Sequence, residues 1–89
     1  MNLKQLEYII AIAEEQSIKN AADRLYISQP ALSQQLAKLK KEGLPPLFYR
    51  KSNKLLLTDA GKIYINGARQ ILSIWQEWEE EMEGFYEKK

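Results

Sequence analysis

Two periodicities of apolar positions run along this chain, and the switch between them divides it. Over residues 3–15, Leu3, Leu6, Ile10 and Ala13 recur at spacings of three and four with Ile9 beside them, which predicts a helix. Asn2 stands before it as an N-cap whose side-chain oxygen accepts an orphan backbone N–H, and Glu14-Glu15-Gln16 is a polar exit. Ser17 opens a short second helix over 18–25, with Ile18, Ala21, Ala22 and Leu25 on one stripe and Lys19, Asn20, Asp23 and Arg24 facing elsewhere. The adjacent alanines are small enough to let another helix come close. Tyr26-Ile27 is a connector, and Ser28 caps a third helix over 29–41. Pro30 sits in its first turn, where proline forfeits no hydrogen bond. Leu32, Leu36 and Leu39 form its inward stripe, while Gln29, Ser33, Gln34 and Lys38 lie mostly opposite. The helix ends near Glu42-Gly43, ahead of Pro45-Pro46.

Residues 47–57 change character. Two short apolar runs, Leu47-Phe48-Tyr49 and Leu55-Leu56-Leu57, flank the polar stretch Arg50-Lys51-Ser52-Asn53-Lys54, which reads as a β-hairpin with a basic tip. Phe48 and Tyr49 are expected to pack beneath it. Thr58 then caps a long fourth helix from Asp59 to about Tyr86. Its apolar residues Tyr64, Ala68, Ile71, Trp75, Trp78, Met82 and Phe85 alternate steps of four and three, a heptad pattern. Gly84 weakens the last turn by up to ~1 kcal/mol relative to alanine. The expectation is a mainly α domain built from three helices and a small β-hairpin, followed by a long C-terminal helix.

Composition narrows the chemistry. The 89 residues contain no cysteine and no histidine, which removes thiol chemistry, zinc knuckles, the commonest general base and every histidine metal site. No nucleophile–base pair is in view, so an enzyme ranks far behind a binding module, and no cofactor and no metal are expected. The acidic cluster Glu77, Glu79, Glu80, Glu81 and Glu83 reads as a solvated helix face, because no histidine or rigid loop completes a cage. No apolar run approaches the ~20 residues that span a bilayer, and the N-terminus lacks a secretory signal core, so a cytoplasmic location with no membrane partner is expected. The net charge of +1 hides an asymmetry. Residues 1–62 carry ten basic and six acidic side chains, residues 63–89 three and six, so the front is the part suited to a polyanion.

Two short helices joined by about three residues, with small residues at their contact, form a helix-turn-helix. Here it spans 18–25, the connector 26–28 and 29–41. In this motif the N-terminal residues of the second helix reach base edges in the DNA major groove. Gln29 and Gln34 can donate and accept together, as adenine readout requires; Ser33 suits a base or a phosphate; Pro30 and Ala31 offer apolar surface to a thymine methyl. The hairpin tip at 50–54 fits a wing on a phosphate or in a minor groove.

The chain also resembles the N-terminal DNA-binding domain of LysR-type transcriptional regulators. The resemblance runs from Leu3 to about Leu72 and rests on pieces in order: Leu3-Lys4-Gln5-Leu6, Ser17-Ile18, Ala21-Ala22-Asp23-Arg24-Leu25, Ser28-Gln29-Pro30-Ala31-Leu32-Ser33, Gln35-Leu36, Leu47-Phe48 with Arg50, Leu57-Thr58 and Ala60-Gly61. It implies a winged helix-turn-helix over 1–58 and a linker helix over 59–89. It further implies double-stranded DNA with an interrupted inverted repeat as partner and homodimers made by paired linker helices, with tetramers open to a full-length protein. Carried onto this sequence, base contacts fall to Gln29, Pro30, Ala31, Ser33 and Gln34, and phosphate contacts to Lys19, Asn20, Ser28, Lys38 and Arg50. Asn53 or Lys54 would enter the minor groove, and Ala68, Ile71, Trp75, Trp78 and Met82 would form the dimer interface. Gln34 stands where many members carry arginine, which points away from guanine readout, and Gly43-Leu44 reverses the Leu-Gly that often closes the family's recognition helix.

Members of the family continue into a domain that binds a small-molecule effector. That domain is absent from this sequence, which would make the chain a fragment or a naturally short product. Trp75 and Trp78 need cover from either a second copy or that further domain. A rival reading, from another class, is a protein–protein interaction or dimerisation module that has lost DNA binding. The basic front and wing tip speak against it.

Overall fold

The computed structural model describes residues 2–87. The elements in chain order are α1 (Leu3–Glu15), α2 (Ile18–Leu25), α3 (Gln29–Lys41), β1 (Phe48–Lys51), β2 (Lys54–Leu57) and α4 (Asp59–Glu87). Each of the first three helices starts where the sequence places its cap. The Asn2 side chain accepts the Gln5 N–H at 2.8 Å, the Ser17 hydroxyl that of Asn20 at 3.1 Å, and the Ser28 hydroxyl that of Ala31 at 3.2 Å.

The turns close by left-handed residues. Tyr26 (φ 58°) ends α2, with the Ile27 N–H donating to the Ala22 carbonyl at 3.1 Å. Gly43 (φ 90°) ends α3, with the Gly43 N–H on Lys40 and the Leu44 N–H on Leu39, at 3.0 and 3.2 Å. This is a Schellman closure with glycine in the residue after the cap. The Gly43-Leu44 order therefore supports a regular helix end.

α1 is the central element, lying against α2, α3, α4 and β2. It buries Leu6, Ile9, Ile10, Ala11 and Ile12, and Ala21, Ala22, Leu32, Leu39, Leu47, Ile65 and Ala68 complete the core. The hairpin is antiparallel, pairing Phe48 with Leu57 and Lys51 with Lys54 across a two-residue turn. Both turn residues, Ser52 (φ 52°) and Asn53 (φ 63°), are left-handed, as the tight hairpin connection that matches strand twist demands. The free edge of β2 is tied back by the Leu55 N–H, which donates to the Gln16 carbonyl at 3.0 Å.

Two expectations are corrected. Tyr49 does not pack beneath the wing: strand side chains alternate, so Phe48 turns inward, half-buried, and Tyr49 turns out, 47% exposed. Ala68 is 1% exposed inside the chain's own core, so it offers nothing to a partner. The heptad stripe of α4 is therefore not one face in use. Its early part, Tyr64 and Ala68, leans on the head, and its later part, with Trp78, Met82 and Phe85, emerges into solvent.

Candidate nucleic-acid interface

The first turn of α3 is held from behind. Leu32 is fully buried, and the small side chains of Ala21 and Ala22 let α2 and α3 approach at the turn. With the inward stripe fixed, the opposite face is presented outward. Gln29, Pro30, Ser33, Gln34 and Lys38 are exposed, and Ala31 is half-buried. None of the side-chain hydrogen bonds among the described residues involves Gln29, Ser33 or Gln34. Ser28 uses its hydroxyl oxygen as the cap acceptor, which leaves its O–H free to donate outward.

The cationic candidates are also on the surface. Lys19 and Asn20 are exposed in the first turn of α2, and Arg50, Asn53 and Lys54 are exposed on the wing. Two arginines are committed elsewhere. Arg24 pairs with Glu14 at 2.8 Å and Glu15 at 3.2 Å, and Arg69 reaches the same Glu14 at 3.1 Å. The Arg24 hydrogen bond is the main cause holding the Glu14 carboxyl below its usual value of 4.5. Sequence spacing gives no sign of this cluster, because Arg69 lies 55 residues from Glu14. It clamps the ends of α1 and α2 to α4. Among the described residues no group of His, Cys, Asp or Glu is placed to hold a metal ion, and no helix is long and apolar enough to cross a membrane.

α4 carries a second surface. Trp75 and Trp78 meet edge to face, centroids 4.9 Å apart and planes at 87°. Beyond the residues named from the heptad, Ile63 is 76% exposed and Ile74 67% exposed. Both lie outside the heptad stripe, whose frame starts at Tyr64, a residue packed against the core.

Comparison with known proteins agrees with this architecture. Residues 3–62 match the family described as bacterial regulatory helix-turn-helix protein, lysR family. The chain is 47% identical over 75 residues to a probable RuBisCO transcriptional regulator of Emiliania huxleyi, a match over 84% of this chain and 24% of that protein. It is 43% identical over 72 residues to the DNA-binding transcriptional dual regulator OxyR of Escherichia coli (strain K12), covering 81% of this chain and 24% of OxyR. The chain thus spans about a quarter of the length of these relatives. Among solved structures, the BenM_DBD/catB site 1 DNA complex superposes with a TM-score of 0.92 at 32% identity, over 100% of this chain and 99% of that one. The CbnR_DBD-DNA complex gives 0.86 at 31% identity, over 97% and 99%.

Proposed function

Because the chain belongs to the LysR family of bacterial helix-turn-helix regulators, we propose that it is a sequence-specific module for double-stranded DNA that works as a homodimer. Residues 1–58 are the winged helix-turn-helix head and residues 59–89 the linker and dimerisation segment, whose described part is α4 (Asp59–Glu87). α3 enters the major groove, with Gln29, Pro30, Ala31, Ser33 and Gln34 at base edges. Ser28, Lys19, Asn20, Lys38 and Arg50 hold phosphates, and Asn53 and Lys54 reach the minor groove. Its setting is a cytoplasmic transcription regulator on an interrupted inverted repeat, tetrameric where the full-length protein so assembles, with any effector bound by a domain outside this chain. It has no catalysis of its own.

The observation that carries this reading is the polar outer face at the start of α3, where Gln29, Ser33 and Gln34 make no side-chain hydrogen bond among the described residues and the helix is braced by Leu32. Bidentate donors and acceptors turned outward on a braced helix do nothing for the fold, but they suit adenine edges. The likeness to domains solved on DNA supports it.

Selection of bound duplexes from a random pool supplies the preferred site. On that site Gln29→Ala costs ~1–3 kcal/mol and relaxes one base position. Lys38→Ala weakens every sequence alike and lowers the log–log salt slope by about one. Equal losses for both variants on selected and random DNA overturn the base-readout assignment. No retardation of random duplex at low salt and micromolar protein returns the chain to a protein-interaction module.

A further inference from the structure

Past its cap at Thr58, α4 is tied to the head by one side-chain hydrogen bond among the described residues: Arg69 Nη2 donates to Glu14 Oε2 at 3.1 Å. The rest of its contact with α1 is apolar, through Ile65, Ala68 and Leu72. Apolar contact is non-directional. It holds two helices together and resists little when one turns in the plane of contact, least of all over a side chain as small as Ala68. A hydrogen bond has a preferred length and direction, so a tie on one flank of α4 selects one crossing angle. Arg69 follows Ala68 in the chain and so stands ~100° round the helix from it, on such a flank.

The carboxylate is itself held. Glu14 Oε1 accepts from Arg24 Nη1 at 2.8 Å, and the same nitrogen reaches Glu15 at 3.2 Å. Each Glu14 oxygen thus serves a different arginine. Arg24 belongs to α2, the first helix of the helix-turn-helix, so α4 is indexed to the reading head and not to α1 alone. Exposed ion pairs add little to stability, and all three side chains are more than a third open to water. What the arrangement supplies is direction. Leu72 is the last residue of α4 on the core cluster, and ~27 Å of helix runs on from Arg69 to Glu87. Turning α4 by about 10° on the head swings that far end by ~5 Å, more than the ~3.4 Å between neighbouring base pairs.

We propose that Arg69 and Glu14 are positioning residues for DNA recognition: their bond fixes the crossing angle of α4 on the head, and with it the separation at which two paired heads meet two half-sites. Neither residue needs to touch DNA. The effect is on which gap between half-sites is accepted, not on how a half-site is read.

This role rests on the paired reading above, and one set of titrations separates the two. The probes are duplexes carrying the selected half-site once, or twice as an inverted repeat whose central gap changes in single base-pair steps. The parent binds one gap best and loses about tenfold for a base pair added or removed. Arg69→Ala keeps the parent's affinity for the single half-site within about twofold, while its loss for a changed gap falls to about threefold. Glu14→Gln does the same, and the double variant goes no further than the more tolerant single one, since both remove one bond. Arg69→Lys, which keeps a cation at that point, restores most of the preference. An Arg69→Ala variant with the parent's gap preference overturns the positioning role and leaves the paired reading standing. So does one that loses the preference together with single half-site affinity, because the bond then serves the fold of the head. A parent that binds the single half-site as tightly as any repeat overturns the paired reading, and the positioning role with it.

Discussion

Glycine at position 61 is dictated by contact, not by conformation. Thr58 starts α4 by accepting the Gly61 N–H at 3.0 Å, while its own hydroxyl donates to the Pro46 carbonyl at 2.7 Å and its backbone N–H to the Leu47 carbonyl at 3.0 Å. These bonds pull the Leu47 carbonyl onto Gly61, where a Cβ would overlap that oxygen and come within 2.9 Å of the Leu57 side chain. Backbone held by a hydrogen bond cannot yield as a flexible side chain does. Gly61→Ala is therefore expected to destabilise by about 3 kcal/mol, the upper end of overpacking. In a domain of this size that lowers Tm by more than about 10 °C. Gly84→Ala is the control: a Cβ there meets nothing within 4 Å, so the substitution gains up to ~1 kcal/mol of helix propensity. A thermal melt in which Gly61→Ala tracks Gly84→Ala would remove the contact explanation.

At the scale of elements, what the sequence makes legible is whatever has a local cause. Helix starts follow from Asn2, Ser17, Ser28 and Thr58, whose oxygens act within three residues of themselves. The hairpin follows from two apolar runs around a polar tip. The outward residues of α3 are legible too, since Leu32 and Leu39 fix its inward side. What is not legible is set by contacts distant in sequence. The rotation of α4 is decided by Ile65 and Ala68 settling against α1, which the heptad count cannot see. The shared Glu14 is the same kind of feature, since only the fold brings Arg24 and Arg69 to it. Its carboxyl titrates below the ordinary value in the folded chain, chiefly through the Arg24 hydrogen bond. A lowered carboxyl contributes stability that is present above the unfolded value and lost as pH falls through the folded one. Glu14→Gln should accordingly be less stable than the parent near pH 6, with the gap closing as pH drops below about 4.5. All three partners are partly open to water, so the gap stays under about 1 kcal/mol and shrinks with salt. Paired denaturant titrations across pH measure it, and a gap that persists in acid would assign the loss to packing.

The whole molecule extends 54 Å along one axis and about 25 Å across, because only the first half of α4 lies on the head. A helix that leaves its domain with Ile74, Trp78, Met82 and Phe85 uncovered is a poor monomer and a good half of something. If the missing half is a second copy, binding to an inverted repeat is a two-handed event. The second head then meets its half-site at an effective concentration set by a stiff helix pair, which multiplies affinity by ~10²–10⁴ without a new contact. The two contributions separate cleanly in one variant. Ile74→Glu places a carboxylate in the middle of that uncovered face, on a side chain that is 67% exposed, so the fold and every residue of α3 and the wing are left intact. Its thermal transition should match that of a dilute parent sample. On a duplex carrying a single half-site its affinity should match that of the parent head within about twofold, because phosphate and base contacts are unchanged. On the full inverted repeat it should lose the ~10²–10⁴ that linkage supplies and show two independent bands in place of one cooperative shift. Retention of full-site affinity would mean that each head reads its site alone. The uncovered face of α4 would then owe its apolar character to something other than DNA recognition by pairs.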